Sequence, residues 1–312
     1  MENNDRAAVI GAGVIGASWT ALFLASGTRV AVHDPAPDAA ASVCAYVETA
    51  WPILEQLGLT ERGDPDAVSF HASPAEAVAG ASFVQESVPE RLSFKHALYA
   101  EIEPALALEA VVASSASGLT LTEMQAGWSD PSRLVLGHPF NPPHLIPLVE
   151  VMGNARTAPS VVERAEAVYR NLGKVTIRVR REVPGHVANR LQAALWREAI
   201  HLVREGVASV EDVDKAVCAG PGLRWAAMGP TMLFHLAAGP GGLAEFCERY
   251  GDSFHRWWDD LGAPRLDPET ARVLATGVDQ KGGGRTTIEL SAERDALIAA
   301  MLTATGSLRS AE

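Results

Sequence analysis

Cysteine is scarce in this sequence. The 312 residues include three, Cys44, Cys218 and Cys247, far apart and never in a Cys-x-x-Cys pair. That spacing removes the usual basis for a structural zinc site or a dithiol redox centre, and no metal is expected. Reduced thiols in a cytosolic protein are the expected state. Positive charge is scarce too: 26 Lys and Arg stand against 38 Asp and Glu, a formal charge of −12. A chain this acidic lacks the electrostatic footprint of a general nucleic-acid binder. Long apolar runs are missing, so no segment reads as spanning a bilayer. The N-terminal stretch MENNDRAAVIGAG carries acidic and amide residues where a secretory leader has basic ones, and its apolar part is short and broken by glycine. The expected location is the cytoplasm, with no membrane or nucleic-acid partner.

Apolar residues, in contrast, are plentiful: 47% of the chain is hydrophobic, enough for a sizeable core and more than one domain. The first half alternates two kinds of segment. AAVIGAG, RVAVHDP, AVSFHAS, SFVQESV, AVVASSAS, RLVLGHPF, LVEVMG and KVTIRVR read as strands. IGASWTALFLASG, FKHALYAEIEPAL and APSVVERAEAVYRNLG read as helices. This alternation predicts a mostly parallel sheet with helices on both faces. The pattern changes at Pro184-Gly185. HVANRLQAALWREAIHLVREG keeps helical spacing for about six turns. SVEDVDKAVCAG follows, with Ser209 as N-cap and Asp212 at the third helical position. Further helical pieces, broken by Gly-Pro pairs, run to the end. The expected fold class is α/β: a doubly wound sheet over residues 1–183, then an all-α domain over 184–312. KGGGR, Lys281–Arg285, is the most loop-like tract.

Gly11, Gly13 and Gly16 form G-x-G-x-x-G between the first strand and the first helix. In that context Gly11 permits a tight turn, Gly13 leaves room for a pyrophosphate, and Gly16 lets helix and strand pack closely. Val14 and Ile15 then stand at a helix N-terminus whose free N–H groups face the phosphates. Asp34 ends the second strand, where a carboxylate accepts bonds from the adenosine ribose and repels a 2′-phosphate. The expected cofactor is a Rossmann-bound NAD rather than NADP.

A second constellation lies in GHPFNPPHLIPLVE, Gly137–Glu150. A dehydrogenase needs a base for the hydroxyl proton, and histidine suits this near neutral pH. A carboxylate beside it holds the ring in one tautomer and stabilises the imidazolium. His138 and Glu150 make such a pair if the chain folds back between them, along a path stiffened by Pro139, Pro142, Pro143 and Pro147. Together VIGAGVIGASW, QESVPERLSFK, SSASGL, GHPFNPPHLIPLVEV and VPGHVANRL occur in the order and spacing of the 3-hydroxyacyl-CoA dehydrogenase family. The chain is similar to that family from about Arg6 to about Tyr250. The resemblance implies an NAD-binding Rossmann-like domain and a helical domain that usually dimerises, so a homodimer is expected. It implies that His138 and Glu150 are the catalytic pair. It implies further that Ser117 contacts the substrate oxygen, that Asn189 sits by the same oxygen, and that Glu90 and Lys95 lie near the nicotinamide ribose. Read alone, Ser117 also suits a cap for a helix starting near Leu119, and Lys95 a solvated helix charge. His144 is off the motif position and reads as a loop residue flanking the cleft.

CoA-using members of the family hold CoA with basic residues after the second strand. Here Pro35–Gly80 contains no lysine and one arginine, Arg62, a poor complement to a phosphate-rich tail. AWPILEQLGL, GPGLRWAAMGP and FCERYGDSF resemble a small-substrate branch that uses free 3-hydroxy carboxylates. The expected reaction is NAD-dependent oxidation of such an acid to the 3-oxo acid. L-Carnitine is the first expectation, with L-gulonate or a 3-hydroxyacyl-CoA as alternatives and a crystallin-like structural or NAD-sensing role outside catalysis. Arg224 suits a fork on the substrate carboxylate or a helix contact. Trp225, Trp196, Phe234 and Phe140 suit an aromatic wall for a trimethylammonium group or core packing.

Overall fold

The computed structural model describes residues 6–306. One compact unit runs to Val187 and resumes at Arg294. Its elements follow as β1 (Arg6–Ile10), α1 (Val14–Ala25), β2 (Arg29–His33), α2 (Ala39–Gln56), β3 (Val68–Phe70), α3 (Pro74–Val78) and β4 (Phe83–Glu86). After these come α4 (Leu92–Ile102), β5 (Val111–Ser114), α5 (Leu121–Gln125), β6 (Leu134–Pro139), β7 (Leu148–Met152), α6 (Pro159–Asn171) and β8 (Val175–Arg178). The strands form one sheet in the order β3-β2-β1-β4-β5-β6-β7-β8. The winding reverses at β1, which pairs with both β2 and β4. Crevices at such a reversal are where doubly wound sheets bind nucleotides.

The strand sequences are nearly continuous apolar runs because both faces are covered. Val9, Val30, Val32, Phe83, Val111 and Val135 join Trp19 and Phe23 of α1, Val43 and Leu54 of α2 and Tyr169 of α6 in one buried cluster. Their neighbours Ala8, Ile10, Ala31, Val84, Val112 and Leu134 join Val78 of α3, Tyr99 and Ile102 of α4 and Met124 of α5 in another. The period-two alternation of each strand thus divides the core between two helical layers. One pair breaks the parallel pattern: β6 and β7 are antiparallel, with His138 opposite Glu150. The chain does fold back between them, through a connection that contains a cis Asn141–Pro142 peptide.

The second unit, Ala188–Glu293, is helical: α7 (Ala188–Arg204), α8 (Val210–Ala219), α9 (Pro221–Ala227), α10 (Pro230–Ala237), α11 (Gly242–Asp260), α12 (Pro268–Gly282) and the start of α13 (Thr287–Ala304). Ser209 caps α8, its hydroxyl accepting from the Asp212 N–H. Phe234 stacks on Phe246 at 4.7 Å and Phe254 meets both rings, an aromatic centre for α10 and α11. Two expectations shift. The helical spacing that begins at His186 is not helix there: His186 has φ +48°, and α7 starts at Ala188. The Val187 N–H is directed instead to the Glu150 carboxylate. KGGGR is only partly loop. Lys281 bonds Asp214 of α8 at 2.6 Å, and α12 continues to Gly282 before a left-handed Gly283 ends it. Among the described residues no helix is long and apolar enough to cross a membrane.

Candidate active site

The glycine turn follows β1 directly. Gly11 has φ +88°, and a Cβ there would meet the Ser87 carbonyl carbon at 2.7 Å. A Cβ on Gly16 would lie 1.8 Å from the Gly11 carbonyl oxygen. Both glycines are therefore packing requirements of the turn. Gly13 is different, because nothing lies within 4 Å of its Cβ position. Beside that open space α1 begins with no side-chain cap and no acidic residue in its first turn, which leaves backbone N–H groups for an anion. Val14 is exposed and Ile15 half-buried at this helix end. Asp34, one residue past β2, accepts from the Ala12 N–H at 2.7 Å and the Ala36 N–H at 2.9 Å. Its carboxylate is held at the lip of the turn. A pyrophosphate over Gly13 and ribose hydroxyls at Asp34 fit this arrangement of donors and acceptors.

Cross-strand partners share one face of a sheet, so the β6–β7 register brings His138 and Glu150 together. His138 Nδ1 lies 2.8 Å from Glu150 Oε2, and Glu150 is fully buried. Glu150 Oε1 accepts from the Val187 N–H at 2.9 Å. An ionised carboxylate only accepts, so Nδ1 carries the proton and Nε2 presents its lone pair in the neutral ring. Nε2 has no partner among the described residues and is not sealed from the surface. Phe140 meets the ring edge-on at 6.4 Å, and His186 lies 5.2 Å away, tilted by 54°.

Glu90 and Ser117 are also brought together. Ser117 Oγ and N donate to the Glu90 carboxylate, both at 2.6 Å, and Gly118 N donates at 2.8 Å. Burial raises the Glu90 carboxyl, but the three bonds and the Lys95 charge hold it below the usual carboxylate range. Thr120 caps α5 through a capping box with Glu123, so the cap reading of Ser117 does not apply. Lys95 is buried rather than solvated. Its ammonium lies 2.6 and 2.8 Å from the two oxygens of Glu86, both residues buried. Tyr99 Oη and Ser114 Oγ donate to the same carboxylate. A buried carboxylate left without its cation is costly, which is why Glu86 captures Lys95. The cluster braces β4 against β5, the strands that lead to Glu90 and Ser117.

The connection between His138 and Glu150 is anchored from outside. Lys174 Nζ donates to the Pro143 carbonyl and, at 2.9 Å, to that of Ile146. It also stands 5.7 Å over the Trp19 ring. His144 is buried against α1: its N–H donates to Ser18 Oγ at 2.8 Å, and its Nδ1 lies 2.9 Å from that oxygen and 3.3 Å from Tyr46 Oη. Burial, then the charges of Lys174 and Arg294, depresses His144 to about 4. It is a neutral latch.

In the helical unit Asn189 is the second residue of α7, and Trp196 lies further along it, half exposed. Arg224 and Trp225 are neighbours on α9. The Arg224 side chain is exposed and makes no hydrogen bond or ion pair among the described residues, so its fork is available to a carboxylate. Phe234 is committed to the aromatic centre of α10 and α11. The three cysteines are free and exposed. Among the described residues no group of three or more His, Cys, Asp or Glu side chains can hold a metal ion. Two site-supporting residues, Glu86 and His186, escape sequence reasoning. For His186 the signal was the Pro184-Gly185 turn immediately before it.

Residues 6–183 match the NAD binding domain of 3-hydroxyacyl-CoA dehydrogenase, and residues 185–267 match its C-terminal domain. The chain belongs to the 3-hydroxyacyl-CoA dehydrogenase family. It is an NAD-dependent oxidoreductase acting on a CH–OH group. An L-carnitine dehydrogenase from Streptomyces griseus is 49% identical over 100% of this chain and 93% of its own. One from Oceanobacillus iheyensis is 42% identical over 95% of this chain and 97% of its own. Among solved structures, the NAD+-dependent 5-formyl-3-hydroxy-2-methylpyridine 4-carboxylic acid 5-dehydrogenase superimposes with a TM-score of 0.81 at 31% identity, covering 95% of this chain and 97% of that one.

Proposed function

We propose that the protein oxidises L-carnitine to 3-dehydrocarnitine, with His138 taking the hydroxyl proton. The observation that carries this reading is the His138–Glu150 pair, 2.8 Å apart with Nε2 left open. When bound, NAD supplies the acceptor for the hydride from C3. His138 Nε2 accepts the O–H proton as the carbonyl forms. Glu150 holds Nδ1–H and stabilises the charge that His138 gains. Gly11, Gly13, Gly16, Val14, Ile15 and Asp34 hold the dinucleotide, and Glu90 fixes the turn that carries Ser117. Ser117 and Asn189 are assigned to the substrate oxygen, and Arg224 to its carboxylate. Trp225, Trp196 and Phe140 are assigned to the quaternary ammonium, whose charge suits aromatic faces.

Two observations favour a small free acid over a CoA thioester. α2 carries Glu48 and Glu55 but no Lys or Arg. Arg62, the one arginine of the lysine-free stretch Pro35–Gly80, packs its backbone on Gly27 beyond the C-terminal end of α1. That end is roughly 18 Å from the glycine turn, at 1.5 Å per residue over α1. L-Carnitine in particular is supported by relatives of that name at 41–49% identity over nearly the whole chain. The test is NADH formation with L-carnitine, L-gulonate, 3-hydroxybutyrate and 3-hydroxybutyryl-CoA. L-Carnitine should give a kcat/KM about a hundredfold above the others, the scale expected when a site pairs the groups of one substrate. Preference for the CoA thioester would refute the reading.

A further inference from the structure

We propose that His186 is a positioning residue for the proton-transfer step, its imidazole tying the turn that carries Ser117 to the His138 ring. The proposal rests on the reading of His138 as the base. Among the described residues His186 is the one non-glycine residue with positive φ, and Gly185 before it is left-handed as well, at +74°. Such a conformation persists in a side-chain-bearing residue only when its surroundings hold it there. Here it is held from two sides. The Val187 N–H donates to Glu150 Oε1 at 2.9 Å. The buried ring of His186 lies 5.2 Å from that of His138, with Nε2 3.3 Å from the Ala116 carbonyl. Ala116 immediately precedes Ser117, so one three-residue turn touches the base, its carboxylate and the Ser117 loop.

The bonding also fixes the protonation state. A carbonyl only accepts, so Nε2 carries the proton. Nδ1 is buried without a partner, and a proton there would be an N–H with no acceptor. Three titratable groups face the ring: His138 from β6, Glu150 from β7 and Glu90 from the β4–α4 connection. Burial, aided by the charge of His138, depresses its proton affinity more than the Ala116 bond and the Glu150 and Glu90 carboxylates restore it. His186 thus stays neutral when His138 takes the substrate proton, and no second imidazolium opposes the first.

Two substitutions separate the Ala116 bond from mere filling of space. A glutamine amide nitrogen falls near the position of histidine Nε2, whereas that of asparagine falls near Nδ1 and cannot reach Ala116. Asparagine also tolerates the left-handed backbone. With whichever 3-hydroxy acid is turned over, His186→Asn should lower kcat about tenfold or more while both KM values stay within about threefold, the mark of lost geometry rather than lost binding. His186→Gln should recover kcat to within about threefold of wild type. An unimpaired His186→Asn, a His186→Gln as slow as His186→Asn, or a loss confined to KM overturns the proposal. The acid limb of the kcat profile gives a second readout. One ionisation is expected in the wild type; a second that disappears in His186→Asn contradicts the neutral ring. If His138→Gln keeps both the limb and the rate, the reading of His138 fails instead, whatever the His186 variants do.

Discussion

A neutral imidazole acts as a base at one nitrogen, and Glu150 decides which. Glu150→Gln keeps an oxygen for the Val187 N–H but can offer its amide N–H to His138 Nδ1, favouring the tautomer with a protonated Nε2. A loss in kcat of about 10²–10⁴ is expected, with NADH affinity by fluorescence unchanged. A variant within a few-fold of wild type contradicts the tautomer argument. His144 makes a separate prediction about stability. Its pKa is about 4 in the fold against about 6.5 in the unfolded chain. The depressed value means that the unfolded state binds the extra proton first. The contribution is therefore complete above pH 6.5 and lost as pH falls towards 4, on the order of 3 kcal/mol in full. His144→Asn should reduce the drop in urea midpoint between pH 7.5 and 5 relative to wild type. Equal drops in the two proteins would argue against the neutral latch. The residue scale is also where sequence reasoning reached least far. Lys95 has the look of an ordinary helix charge, and only the tertiary contact between α4 and β4 shows that Glu86 holds it. The apolar neighbours of His186 keep helical spacing, which carries no information about a left-handed residue.

The turn between β1 and α1 separates a packing glycine from a binding glycine. Gly13 has φ −61° and open space at its Cβ position. Gly13→Ala should leave the thermal midpoint unchanged or slightly raised, as alanine restricts the unfolded chain by about 0.4–1 kcal/mol. It should weaken NAD binding, measured by calorimetry, by about tenfold or more because the added methyl stands where the pyrophosphate approaches. Gly16→Ala should instead lower the midpoint by several degrees, since its methyl collides with the Gly11 carbonyl. The reverse pattern would mean that the turn is not a dinucleotide site. Elements of this kind were the most legible part of the sequence. Strand periodicity, the glycine spacing and the Ser209 cap are local signals, and each recurs in the structure. The antiparallel β6–β7 register, which creates the His138–Glu150 pair, is tertiary. The sequence offered the two residues and a stiff path, not the alignment.

At the scale of the whole molecule, the helical unit leaves large apolar side chains uncovered in a single chain. Leu191 and Leu195 on α7, Leu236 on α10 and Trp257 and Trp258 on α11 are all exposed. Apolar surface in this quantity marks an interface, and we propose a homodimer. Light scattering should give about twice the chain mass of 33.0 kDa; a monomer mass at micromolar concentration contradicts this. Composition does not disclose a partner chain, because apolar residues at helical spacing look alike whether they face a core or a second chain. What the fold exists to present is His138 with Nδ1 occupied and Nε2 open. The most direct test is the His138→Gln variant, assayed for NADH formation with L-carnitine and for NADH binding in parallel. A fall in kcat of about 10³ or more with binding within about twofold is the predicted result. A kcat within about tenfold of wild type would contradict the assignment of His138 as the base.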